Sequence, residues 1–391
     1  MKFIYPVTAL IFLSLGKAQE LQSGDIVQIM NSVRNSMPGQ GSNKFFIPTT
    51  VQINSFDTMF IKLKAGNYSE IQRLADNFGY KFIKFVNSST NDTFLLLQEN
   101  MPIARGWGTY IFNPAGSNDL AVEAPHPIWD TNSWELAIKF FIAVKARWFL
   151  LAGTHRYANS DSSSDMAHVT QSVFHACHKR ISTSATIQIH GFNKSSDKYD
   201  GYPDAVISNG TLQAENILYT IKSNYEAKGF TAGVFSASTY SSLYKLGATT
   251  NTQGLWSNAN GKTFIHVEHD YPLRTTEAKQ NNCIDALVKS FAPALQVSLR
   301  KEIPMTSGVL SIYPNPFNSS TTISFSLSRT SNISLSLYSV LGQKEKTIAQ
   351  GRYEPGNYLL YYSAENLSSG IYFCFLETDY STHITKLVLL R

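Results

Sequence analysis

Four short apolar runs in the middle of this sequence end in residues able to bind a cation or move a proton. Glu123-Ala124-Pro125-His126-Pro127-Ile128-Trp129-Asp130 closes the first, and Gly153-Thr154-His155-Arg156 the second. Gln188-Ile189-His190-Gly191-Phe192 closes the third, and His266-Val267-Glu268-His269-Asp270 the last. Apolar packing alone does not require His or Glu at four strand ends. Three N/O ligands with one open position are the coordination of a catalytic zinc site. His126 and Asp130, four apart, can reach one divalent ion, with His190 from a neighbouring strand as the third ligand. Glu268 then stands near the metal without binding it. It can take a proton from a water whose pKa zinc lowers to about 7. Arg156, and Arg274 just past Glu268, each offer a bidentate partner for a substrate carboxylate.

The elements that must position these residues follow from periodicity. From about 118 the chain alternates: runs 120–124, 148–152, 185–189, 204–208, 231–235 and 263–267 read as strands. Runs 132–147, 165–179, 215–228 and 276–291 read as amphipathic helices between them. This rhythm implies an α/β domain over 118–294, a mixed central sheet flanked by helices. In an open sheet of that kind ligands bind beyond the carboxyl ends of the strands. Residues 19–42 read as a polar arm. Residues 43–117 read as a small α+β lobe, with strands at 58–64, 81–86 and 93–98 and a helical stripe of Ile71, Leu74 and Phe78. Residues 295–307 read as a linker, and the tail from 308 switches to the period-two pattern of a β-sandwich.

Other readings compete. His155, Asp165 and His168 form a rival metal set, while His175 and His178 are expected on a surface helix face. No Gly-x-Ser-x-Gly elbow supports a serine hydrolase. The three cysteines, Cys177, Cys283 and Cys374, have no paired spacing, and Cys177 and Cys283 read as small buried hydrophobes on apolar helix faces. A net charge of +5 without a long basic run argues against nucleic acid as a partner. Met1-Lys2, an apolar run over 4–15 and Gly16-Lys17-Ala18-Gln19 read as a Sec signal peptide, 1–18, too short to span a membrane. No other stretch is apolar for long enough to do so.

Two resemblances sharpen these expectations. Tyr313-Pro314-Asn315-Pro316-Phe317-Asn318, Gly356-Asn357-Tyr358, Leu367-Ser368-Ser369-Gly370-Ile371-Tyr372-Phe373 and the ending Thr385-Lys386-Leu387-Val388-Leu389-Leu390-Arg391 occur in order. Residues 308–391 thereby resemble the type A C-terminal sorting domain of type IX secretion. The resemblance implies an Ig-like sandwich and the type IX machinery as partner. It also implies a secreted or surface-attached product of a Bacteroidota-type bacterium. Separately, the order His, an acid after three to five residues, strand-Ile-His-Gly, then strand-Val-Glu over roughly 118–293 resembles the zinc carboxypeptidase and amidohydrolase superfamily. That group includes N-formylglutamate amidohydrolases and poly-γ-glutamate hydrolases. The likeness implies one zinc ion, His126 and His190 as its histidine ligands and Glu268 as the catalytic glutamate. The acidic ligand departs from the carboxypeptidase pattern, because position 129 is Trp. Asp130 is the choice and Glu135 the alternative. The expected function is hydrolysis of an amide or peptide bond by an exported zinc enzyme. The alternative is a non-catalytic surface or binding protein on a degenerate hydrolase fold.

Overall fold

The computed structural model describes residues 20–291, except 182, and residues 310–390, except 314, 319, 328, 365 and 366. The expected signal peptide and linker lie outside the described residues. One unit falls within Met1–Leu295 and a second within Gln296–Arg391.

In the first unit, β1 (Glu20–Gly24) and α1 (Ile26–Asn35) occupy the segment expected as a polar arm. Residues 43–117 supply α2 (Thr50–Lys64), α3 (Ile71–Asp76), β2 (Tyr80–Asn87), β3 (Thr93–Glu99) and β4 (Thr109–Phe112). The α/β segment begins with β5 (Asn118–Ala124), α4 (Ser133–Ala143), β6 (Ala146–Leu151), α5 (Val173–Ile181) and β7 (Ala185–Phe192). It continues with β8 (Ala205–Ser208), α6 (Asn216–Glu226), β9 (Ala232–Val234), α7 (Tyr240–Leu243) and α8 (Thr252–Ala259). β10 (Thr263–Asp270), α9 (Tyr271–Thr275) and α10 (Glu277–Phe291) complete it.

Among the described residues, these ten strands form one mixed sheet in the order β1-β2-β3-β4-β6-β5-β7-β10-β8-β9. Residues 43–117, expected as a lobe of their own, instead extend the sheet: β4 pairs antiparallel with β6, Thr109 opposite Leu151. The strand expected at 58–64 is the end of helix α2. Its run Thr58-Met59-Phe60-Ile61 suggests a strand, yet the buried residues Phe56, Met59, Phe60 and Leu63 keep helical spacing. A Thr49–Gln52 capping box starts that helix. The helix expected over 165–179 forms only from Val173, after a series of turns.

Alternation along the strands sorts side chains into two layers. Val122, Ile187, Ile189, Ile265 and Val267 join one apolar core with α1, α4, α6 and α10. Tyr110, Ala121, Trp148 and Leu150 join a second core with α2, α3 and α5. β5, β6, β7 and β10 run parallel at the centre. From β5 the chain moves to β6 on one side, then crosses to β7 on the other. The crevice beyond the carboxyl ends of β5 and β7 is thus the switch point where such sheets bind ligands.

The second unit contains β11 (Ser311–Tyr313), β12 (Ser320–Leu327), β13 (Ser331–Ser339), β14 (Lys344–Tyr353), β15 (Gly356–Ser363), β16 (Gly370–Thr378) and β17 (Thr382–Leu389). They form two antiparallel sheets, β11-β12-β15 and β14-β13-β16-β17. Ile323, Phe325 and Leu327 of one sheet and Leu335, Leu337, Cys374, Leu376 and Leu387 of the other share a single apolar core.

Candidate metal centre

Strands buried on both faces of a parallel sheet are normally apolar throughout. β7 and β10 break that rule on one face, where Gln188 and His190 alternate with Ile187 and Ile189, and His266 and Glu268 with Ile265 and Val267. In register, Gln188 lies opposite His266 and His190 opposite Glu268. Beyond β5, the amide of Asp130 donates to the carbonyl of His126 at 3.0 Å, one turn that puts both side chains on the same side.

Three donors meet at this rim. The Oδ2 of Asp130 lies 3.3 Å from His126 Nδ1 and 3.2 Å from His190 Nδ1. The two imidazoles stand edge to face, with centroids 4.8 Å apart. Each ring is held by its other nitrogen: His126 Nε2 lies 2.9 Å from Asp165 Oδ1, and His190 Nε2 lies 3.1 Å from Gln188 Oε1. Neutral rings that donate from Nε2 carry bare lone pairs at Nδ1, and here both face a carboxylate. In that tautomer a cation among them would satisfy the converging lone pairs, whereas a proton on His190 Nδ1 would donate to Asp130 instead. Donors about 2.0–2.1 Å from one tetrahedral ion lie roughly 3.4 Å apart, close to the spacings around Asp130. His126 Nδ1, His266 Nδ1 and Glu268 Oε2 are buried without hydrogen-bond partners. The residues present therefore fit a zinc ion held by His126, Asp130 and His190. A second group of close donors joins His190, His266 and Glu268.

Electrostatics follow from burial. Burial pushes the Glu268 carboxyl up to about 8, and the nearby Asp130 charge adds to it. Burial would also raise Asp130, but His126 and His190 hold it far below the usual carboxylate range. Burial brings His190 down to about 4 despite the bond to Asp130. In His126 the opposing effect of burial is outweighed by Asp130 and Asp165, and its pKa rises.

A cavity of about 600 Å³ opens on these groups and is also lined by Trp129, Arg156, Tyr157, Lys198, Lys245, Tyr271 and Arg274. Arg156 donates to Asp165 Oδ2 at 2.5 Å, and its Nε is buried without a partner. Arg274 donates to the carbonyls of His269, Phe192 and Thr131, tying three segments of the rim together. Its guanidinium packs so closely on Gly191 that an added Cβ would collide with it. Glu135 lies in the first turn of α4 and pairs with Lys139 at 2.5 Å. The rival set is not gathered: Asp165 meets His168 at 3.2 Å, but His155 packs on Trp129 and accepts from the Tyr157 amide.

His175 and His178, expected at the surface, are buried. α8 packs against α5 and covers them. His178 Nδ1 lies 2.8 Å from Glu123 Oε1, and its Nε2 lies 3.0 Å from Ser257 Oγ. Gln188 and His266 stand in the strand-end runs, but the sequence assigns them no role. The signal that could have found them is their period-two spacing with His190 and Glu268.

A search of curated proteins finds no match to this chain. Among solved structures, the ectoine utilization protein EutE (DoeB) of Ruegeria pomeroyi is similar at 11% identity, with 76% of this chain and 94% of that one covered and a TM-score of 0.33. A succinylglutamate desuccinylase from Silicibacter sp. TM1040 is similar at 9% identity, with 79% and 93% covered and a TM-score of 0.28. PorZ of Porphyromonas gingivalis, a surface component of the type IX secretion system, is similar at 15% identity, with 21% and 11% covered and a TM-score of 0.17. No helix among the described residues is long and apolar enough to cross a membrane. Residues 311–390 match the secretion system C-terminal sorting domain, so this part of the chain is an export address, implying secretion or surface attachment through the type IX machinery.

Proposed function

We propose that the unit carrying residues 118–294 is an exported zinc-dependent hydrolase of an amide or peptide bond. The observation that carries this reading is the placement of Asp130 Oδ2 3.3 Å from His126 Nδ1 and 3.2 Å from His190 Nδ1 at the edge of an open cavity. A zinc ion at that point supplies Lewis acidity toward a carbonyl and lowers the pKa of water. Glu268, with one oxygen free of hydrogen bonds at the cavity, accepts a proton from the attacking water and returns it to the leaving amine. Arg156 has an unpartnered Nε beside the cavity and anchors an acidic group of the substrate. Arg274 fixes the rim segments around Glu268 and adds positive charge to that wall. A peptide C-terminus, a cell-wall peptide or a γ-glutamyl chain has this chemistry. Passage through a Sec signal and the type IX machinery of a Bacteroidota-type cell delivers the enzyme to the surface or medium.

The test is zinc stoichiometry on the purified full chain, with hydrolysis of N-acyl dipeptides bearing a free carboxylate. One equivalent of zinc, lost in Asp130→Asn together with hydrolysis, is the expected result. A wild-type chain that takes up no zinc overturns the reading.

A further inference from the structure

We propose that Gln188 and Asn251 form an amide lock that sets the tautomer of His190, and so presents its Nδ1 to the cation site. This rests on the metal-centre reading above. Gln188 is fully buried and shares a strand face with His190. Its Oε1 lies 3.1 Å from His190 Nε2 and accepts from Asn251 Nδ2 at 2.7 Å. Its Nε2 donates to Glu123 Oε2 at 2.8 Å and to Gln253 Oε1 at 3.2 Å.

The direction of each amide is forced from outside. Asn251 is the N-cap of α8, and its Oδ1 accepts from the Gly254 amide at 2.9 Å. Its NH₂ must therefore point at Gln188, whose oxygen must face Asn251 and His190. A Gln188 flipped end for end would oppose donor to donor at Asn251 and acceptor to carboxylate at Glu123. Buried polar groups without partners are costly, so that state is suppressed. Both ring nitrogens of His190 face acceptors, Asp130 Oδ2 at 3.2 Å from Nδ1 and Gln188 Oε1 at 3.1 Å from Nε2. A cation bound to Asp130 takes the place of a proton on Nδ1, and the fixed oxygen of Gln188 then holds the proton on Nε2. A helix cap thus reaches a metal ligand through two amides. Partners of this kind orient ligating imidazoles and change metal affinity about 10- to 100-fold when lost.

The experiment uses the full chain, stripped of metal, with ring-nitrogen NMR of its histidines at pH 7 and titration with zinc alone. Wild type is expected to show a population of the Nε2–H tautomer of His190 before zinc is added, and that tautomer alone once zinc is bound. Asn251→Asp keeps an oxygen for the α8 cap but removes the donor to Gln188. Gln188→Met removes the acceptor from His190. Both are expected to populate Nδ1–H at His190 and to bind zinc about 10- to 100-fold more weakly. Thermal melts identify a variant that fails to fold, and Asn251→Asp alone then decides. If folded variants leave the tautomer and the zinc affinity within twofold of wild type, the lock is wrong. If wild type takes up no zinc while the tautomer still moves in the variants, the lock stands and the hydrolase reading falls.

Discussion

The two units bury different kinds of side chain. Among the described residues of 310–390, the buried polar side chains are the hydroxyls of Thr321, Ser331 and Ser336, set in a core of Ile, Leu and Phe. The first unit buries Glu123, His126, Asp130, Asp165, His178, His190, His266, His269 and Arg274. Burying a charge is unfavourable unless it is paired and hydrogen-bonded. A sandwich whose task is recognition by export machinery has no need of such groups. They gather at the carboxyl ends of β5, β7 and β10, where the proposed metal site would account for an otherwise destabilising arrangement.

Four measurements sharpen or break this contrast. Glu268→Gln should lower hydrolysis about 10²- to 10⁴-fold while zinc content is retained. Full activity with zinc bound would remove Glu268 from the mechanism. Leu335→Ala, at a fully buried position of the second unit, should destabilise that unit by about 2–5 kcal/mol in denaturant melts. Zinc uptake should stay at the wild-type level, and a loss of uptake would end the division of labour. Asp165→Asn weakens the acceptor for His126 Nε2 and should reduce zinc affinity about 10- to 100-fold by calorimetric titration. The last measurement is of pH dependence. The folded-state pKa of Glu268 is raised to about 8, so its stabilising contribution is full below the unfolded value near 4.5 and is lost as pH rises through 8. Metal-free wild type should therefore lose thermal stability relative to Glu268→Gln between pH 5 and 9. Parallel curves would show that this carboxyl is not desolvated.

The residues of the candidate site were legible as a group because their types are unusual at strand ends. His126, Asp130, His190 and Glu268 stand out against the Val and Ile around them. Gln188 was not legible: a lone buried amide looks like any polar strand residue until its four partners are known. Asp165 was read as a metal ligand of a rival set, yet it serves to hold His126 and Arg156. The alternation of strand and helix gave the mixed sheet of 118–294. It could not give the antiparallel union of β4 with β6, which depends on a pairing between segments distant in sequence. His175 and His178 were misjudged because a single helix does not reveal which neighbour covers it.

The alignment of Ser257 of α8 with His178 and Glu123 beneath it has a practical consequence. The three side chains are almost completely screened from water, and both nitrogens of the imidazole are engaged. Its ring protons can trade with deuterium only when α8 lifts from α5. The decay of that resonance in heavy water would act as a clock for the opening of one side of the sheet.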